Sequence, residues 1–281
     1  MQPITGARPR TWAVLAALVA CASGSSAVAA SAPQAPPPVI QTLIPIASGA
    51  AEKVRLHAGF MPYRLGGSTT IAFGFTDTSP PHTVPQPLIG VNISLPQGIG
   101  AGTTRLGLST CNAHTIYEHG IDGCPPNSFV GRGEATATVP IGPTLIREKA
   151  RIGLLATASK SGRLEILYGA EGITPVYDMI VFRGEILEGK PPFGEVIATF
   201  IPPIETLPEA PYASVVSMRT TIGPKHLTYY KRVHGRRVAF HPEGVELPKR
   251  CPRGGFKFAA TFAFLDGTSK TADAVVRCPV G

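Results

Sequence analysis

Three groups of residues in this 281-residue chain carry side chains that could do chemistry. The first is four cysteines, Cys111, Cys124, Cys251 and Cys278; a fifth, Cys21, sits in an N-terminal apolar run. Four cysteines allow three disulfide connectivities, and nearest-neighbour pairing is the expected one, because it closes two small loops. Each closure would remove about 3–4 kcal/mol of unfolded-chain entropy. The spacings match no compact zinc pattern such as paired CxxC motifs. The second group is His114, His119 and Asp122, inside the first cysteine loop. Two imidazoles and a carboxylate are what a metal site or an acid–base group needs. Their spacing fits no ligand motif, so the expectation is an exposed polar loop, with no metal and no cofactor. The third group is Tyr229, Tyr230, Lys231, Arg232, Arg236 and Arg237. Tyrosines interleaved with cations make good interface chemistry and could hold an anionic sugar or a phosphate. The plainer alternative is a polar hairpin whose long stems cover apolar surface.

Hydrolytic signatures are absent. There is no Gly-x-Ser-x-Gly, no His-Glu-x-x-His and no glycine-rich phosphate loop ending in Gly-Lys-Ser/Thr. Ser109 and Ser128 flank the first cysteine loop near histidines, and Glu165 and Glu171 are a candidate carboxylate pair for sugar hydrolysis. No catalytic residue is assigned. The expected role is a non-catalytic, structural or binding protein. The alternatives are a secreted hydrolase, or a carrier of lipid or another small ligand in a barrel-like cavity.

The elements that must position these groups begin after an export signal. Arg8 and Arg10 precede an apolar run from Trp12 to Ala22, and small residues at Ala27 and Ala29 suit cleavage. The run is too short to span a membrane. Leu18-Val19-Ala20-Cys21 also resembles a bacterial lipobox, which would make Cys21 a lipidated first residue. Residues 1–29 therefore read as a signal peptide, or 1–20 if the chain is a lipoprotein. Residues 30–50, rich in Ala and Pro, read as a linker. Residues 51–281 read as the folded domain, with a candidate split near 141–147. The localisation expected is extracellular, free or lipid-anchored to the outer face of the cytoplasmic membrane. That compartment lets disulfides persist.

Within 51–281, apolar residues repeat every second position, the period of a strand with one buried face. The clearest case is Phe256, Phe258, Ala260, Phe262 and Phe264. Asp266-Gly267 then turns the chain, and residues 269–277 return as a partner strand tied by Cys278 to Cys251. Further strands are expected at 53–60, 70–75, 90–95, 133–139, 151–158, 163–168, 179–186, 195–201 and 214–221. No window of 11 or more residues has a helical period. Gly (31) and Pro (29) are dispersed between these runs as turns. The expected fold is all-β, an Ig-like or other β-sandwich stapled by two disulfides, with a barrel as the alternative.

Several fragments carry a resemblance. They are Leu95-Pro96-Gln97-Gly98, Cys111, the run from Gly123-Cys124-Pro125 to Gly131-Arg132-Gly133, Arg250-Cys251-Pro252, Phe262 to Thr268, and Cys278-Pro279. This pattern resembles a group of uncharacterised secreted proteins of high-GC Gram-positive bacteria. The resemblance implies a bacterial exported protein with two disulfides, and it brings no reaction or substrate.

The net charge is +8, from 26 Lys and Arg against 18 Asp and Glu. The cations are scattered and do not alternate with aromatics in a way suited to stacking bases, which argues against nucleic acid. A basic surface suits a cell-wall polymer or another anionic surface as partner.

Overall fold

The structure is a computed structural model and describes residues 44–101, 109–158, 165–175, 177–206 and 211–279. Eleven strands form the body. In chain order they are β1 (Lys53–Met61), β2 (Ser68–Thr78), β3 (Leu88–Pro96), β5 (Phe129–Ile141), β6 (Thr144–Thr157), β7 (Glu165–Thr174), β8 (Met179–Glu188), β9 (Phe193–Phe200), β10 (Ser214–Ile222), β14 (Phe256–Phe264) and β15 (Ser269–Val276). Two short strands, β4 (Gly100–Ala101) and β13 (Val245–Glu246), extend the sheet beside the start of β2. Strands β11 (Tyr229–Val233) and β12 (Arg236–Phe240) form a separate hairpin, and one short helix, α1, spans Ala113–His119.

Around the body the order is β1-β2-β10-β5-β6-β7-β8-β9-β3-β14-β15, with every neighbouring pair antiparallel. This is one sheet curled until its ends nearly meet. The all-β expectation and both disulfides, Cys111–Cys124 and Cys251–Cys278, are present. The sandwich is replaced by a nearly closed barrel. A sandwich needs two sheets with separate edges, whereas here a single hydrogen-bonded path runs through all eleven strands. The seam between β1 and β15 is closed by side chains. The Tyr63 hydroxyl donates to the Arg277 carbonyl at 2.6 Å, and Phe60 meets Phe256 and Phe258 with ring centroids 5.1 and 5.7 Å apart.

The period-two pattern explains the interior. Ile71, Phe73 and Phe75 of β2, Val91, Ile93 and Leu95 of β3, and the phenylalanines of β14 all point inward and are buried. The rings interlock edge to face, as Phe75 does with Phe262 at 5.0 Å, an arrangement favoured by their quadrupoles. At the end formed by Leu95, Ile99, Ile222 and Val245, an apolar void of about 20 Å³ remains. That is room for about one water molecule, so the middle of the barrel is filled.

A second, smaller core lies outside the wall. Ile116 of α1 and Ile121 pack on Leu155 and Leu167, with the Cys111–Cys124 disulfide beside them. Glycine makes the approach feasible: a Cβ at Gly153 would lie 2.5 Å from the Ile121 side chain. Asn112 caps the helix by accepting from the Thr115 amide at 2.9 Å. Ile141-Gly142-Pro143, a candidate domain joint in the sequence, is the turn of the long β5–β6 hairpin, with Gly142 at φ +57°. Both disulfide-bearing halves contribute strands to the same sheet.

Candidate functional site: the mouth of the barrel

The barrel interior changes character along its strands. In β6 the inward residues run Ala156, Leu154, Ile152 and then Ala150. In β7 they run Ile166, Tyr168, Ala170 and Gly172. In β5 the corresponding stretch is Ala135, Ala137 and Val139, and in β8 Phe182 gives way to Ile180. Large side chains fill the middle, and short ones follow towards one end. A layer of alanine and glycine cannot close a ring of this width, so that end opens as a cup of about 500 Å³. Volumes of 300–1,000 Å³ with mostly apolar walls are usual for small-molecule sites, and barrel mouths are a common place for them.

Most of the cup wall comes from Ala135, Ala137, Val139, Ile146, Ala150, Ala170, Ile180 and Val215. Just inside it, Tyr168 and Phe182 stack face to face with centroids 4.9 Å apart. Burial pushes the Tyr168 hydroxyl up to about 12, so it stays neutral. The rim is partly apolar, with Ile141 and Tyr177 exposed. Its polar groups are Glu148, Asp178, Glu205 and Thr206, and among the described residues no Lys, Arg or His lines it. Glu148 accepts from the Thr174 amide at 3.1 Å and Asp178 from the Met179 amide at 2.8 Å. A carboxylate has about four acceptor sites, so Asp178 can also receive a hydroxyl or amine. The arrangement can hold an apolar body and orient one donor group. Among the described residues it offers no nucleophile paired with a base.

The residues singled out in the sequence lie elsewhere. Among them, His114 and His119 both face Glu118, at 3.2 and 3.7 Å, while Asp122 binds Arg151 at 2.8 Å. The three are therefore not brought together, and among the described residues no cluster of three His, Cys, Asp or Glu is placed to hold a metal ion. Glu165 pairs with Arg183 at 2.9 Å, and Glu171 with Arg151. Six positions along one strand separate the two glutamates, roughly 20 Å, far beyond the spacing of a hydrolytic pair. The Ser128 hydroxyl donates to the Pro125 carbonyl at 2.6 Å. Cys21 lies outside the described residues.

The tyrosine–arginine group forms the β11–β12 hairpin, and its members divide. Tyr229 is buried, donates to the Phe129 carbonyl and meets the Phe240 ring at 5.9 Å. It anchors the hairpin and has no free face. Asn127 clamps the next residue, donating to the Tyr230 carbonyl at 2.7 Å and accepting from its amide at 2.8 Å. Lys231, Arg232, Arg236 and Arg237 are all exposed.

No helix among the described residues is long and apolar enough to cross a membrane. No family model matches the chain, and no curated protein or solved structure matches it.

Sequence reasoning offers a barrel-like cavity only as an alternative and assigns to it none of the residues that line the cup. A signal for it was present: the inward positions keep period two while their side chains shrink to Ala135, Ala137, Ala150 and Ala170.

Proposed function

We propose that this is an exported, non-catalytic binding protein that holds a small, largely apolar molecule in the mouth of its barrel. The observation that carries the reading is the Ala- and Gly-lined cup of about 500 Å³ above a filled core. The apolar lining favours a hydrocarbon or ring body. The acidic rim favours a ligand with a hydroxyl or amine at one end, and disfavours one ending in a carboxylate or phosphate.

Export is supported by the n-region, the apolar run and the two disulfides. The lipobox-like Leu18-Val19-Ala20-Cys21 supports an anchored form, and the small residues at 27 and 29 support a free one. The resemblance to secreted proteins of high-GC Gram-positive bacteria fits either form. The +8 charge supports an anionic partner, a wall polymer or a lipid surface, at which the cargo would be collected or released.

Mass spectrometry of an organic extract of the purified protein tests the cargo. A single small apolar compound recovered near one per chain supports the reading. A protein that carries none, and takes up none from a hydrophobic library, argues for a purely structural role.

A further inference from the structure

The β11–β12 hairpin has a tip that its own fold does not explain. Cross-strand pairing sets Arg232 directly opposite Arg237, and Lys231 opposite Val238. Like charges at directly opposed positions destabilise a hairpin. No acidic residue occurs between Tyr229 and Phe240 to relieve them. Among the described residues, neither Arg232 nor Arg237 makes an ion pair. Arg237 is nonetheless held in place, its guanidinium 3.7 Å from the centre of the Tyr230 ring. Among the described residues, the hairpin is tied to the body at its base, by Tyr229 and the Asn127 clamp. Its tip turns through His234 and Gly235, both at positive φ. Val233 and Val238 are about 40% exposed on the face that also carries Lys231 and Arg236.

We infer that this hairpin docks the protein on an anionic phospholipid surface. The tip would enter edge-on: Arg232 and Arg237 would take lipid phosphates on one face of the hairpin, and on the other face Val233 and Val238, flanked by Lys231 and Arg236, would enter the headgroup layer. Guanidinium forks match phosphate oxygens two at a time. Cations beside apolar residues on a projecting element are the mix that interfacial binding needs. The exposed valines favour a bilayer over a soluble polyanion, which would gain nothing from them. This inference rests on the reading that the protein works at an anionic surface, and it assigns that role to particular residues.

The test uses the unlipidated full-length protein, exported as Cys21→Ser, with co-sedimentation on vesicles of phosphatidylcholine alone and with 30% phosphatidylglycerol. The expected result is binding only to the anionic vesicles, lost at high salt. The double variant Arg232→Gln/Arg237→Gln should bind at least tenfold more weakly with an unchanged melting temperature. Val233→Ser/Val238→Ser should weaken binding while preserving its salt dependence. Equal vesicle binding by wild type and the arginine variant would overturn the site but leave the anionic-surface reading standing. Binding to long-chain polyphosphate, but not to vesicles, would overturn the membrane. Binding to neither would remove the anionic surface altogether.

Discussion

The carboxyl groups of Glu52 and Asp77 are neighbours at the end of β2, and burial raises the pKa of both. Asp77 follows Phe75 on the inward parity of β2, and Glu52, extended just before β1, is buried. One oxygen of Glu52 accepts from the Gln86 amide at 2.9 Å. The other, and one oxygen of Asp77, are buried without a protein donor. Two ionised carboxylates could not rest there. Burial first, and the Glu52 charge second, raise Asp77 to about 7, and burial also raises Glu52. Asp266, which adds to the repulsion on Glu52, stays ionised. Burial alone would raise it, but hydrogen bonds from Thr268, Gly49 and Ser48 hold it down at about 2.

Stability should therefore fall as pH rises. Between about pH 4 and 7 the folded protein keeps a proton on Asp77 that the unfolded chain has released, and the unfolded state gains on deprotonation. Thermal melts from pH 5 to 8 should show the melting temperature dropping by several degrees. Asp77→Asn should flatten that slope. A wild-type melting temperature that is level or rising across the same window would contradict the raised Asp77 carboxyl.

Removing the C-terminal disulfide should loosen one hairpin first. Cys251–Cys278 spans 27 residues and ties the start of β14 to the end of β15. The variant Cys251→Ser/Cys278→Ser should lose about 3 kcal/mol, or roughly 6–12 °C in melting temperature. Hydrogen exchange should speed up in β15 before it does in β6 or β7.

Gly153→Val should detach the outer helix. Its side chain would occupy the space of Ile121, at a cost of about 1–3 kcal/mol. Faster exchange confined to α1 and the Cys111–Cys124 loop is the expected signature, read by mass spectrometry.

Much of the fold was legible because alternation is a local signal. The β14 phenylalanines, the Asp266-Gly267 turn and the cysteine pairing all follow from neighbours in sequence. Closure was not legible, since it depends on β1 meeting β15 across more than 200 residues through Tyr63 and Arg277. The fate of Tyr229 was equally hidden, because the carbonyl it anchors to lies a hundred residues away on Phe129. The cup escaped notice because alanine is a weak strand marker: Ala135, Ala150 and Ala170 are informative only once they are known to share one end of a closed ring. The carboxyl pair is not legible either, because a lone acidic residue such as Glu52 or Asp77 carries no local sign of burial.

The most direct test of the central claim is binding of a small fluorescent hydrophobic probe, measured on wild type and on Ala150→Phe/Ala170→Phe. Both alanines line the cup, where added rings would fill the opening without entering the packed middle. The account predicts saturable binding of about one probe per wild-type chain, and at least a tenfold loss in a variant that still melts cooperatively. Undiminished binding in a folded variant, or no saturable binding by wild type, would contradict it.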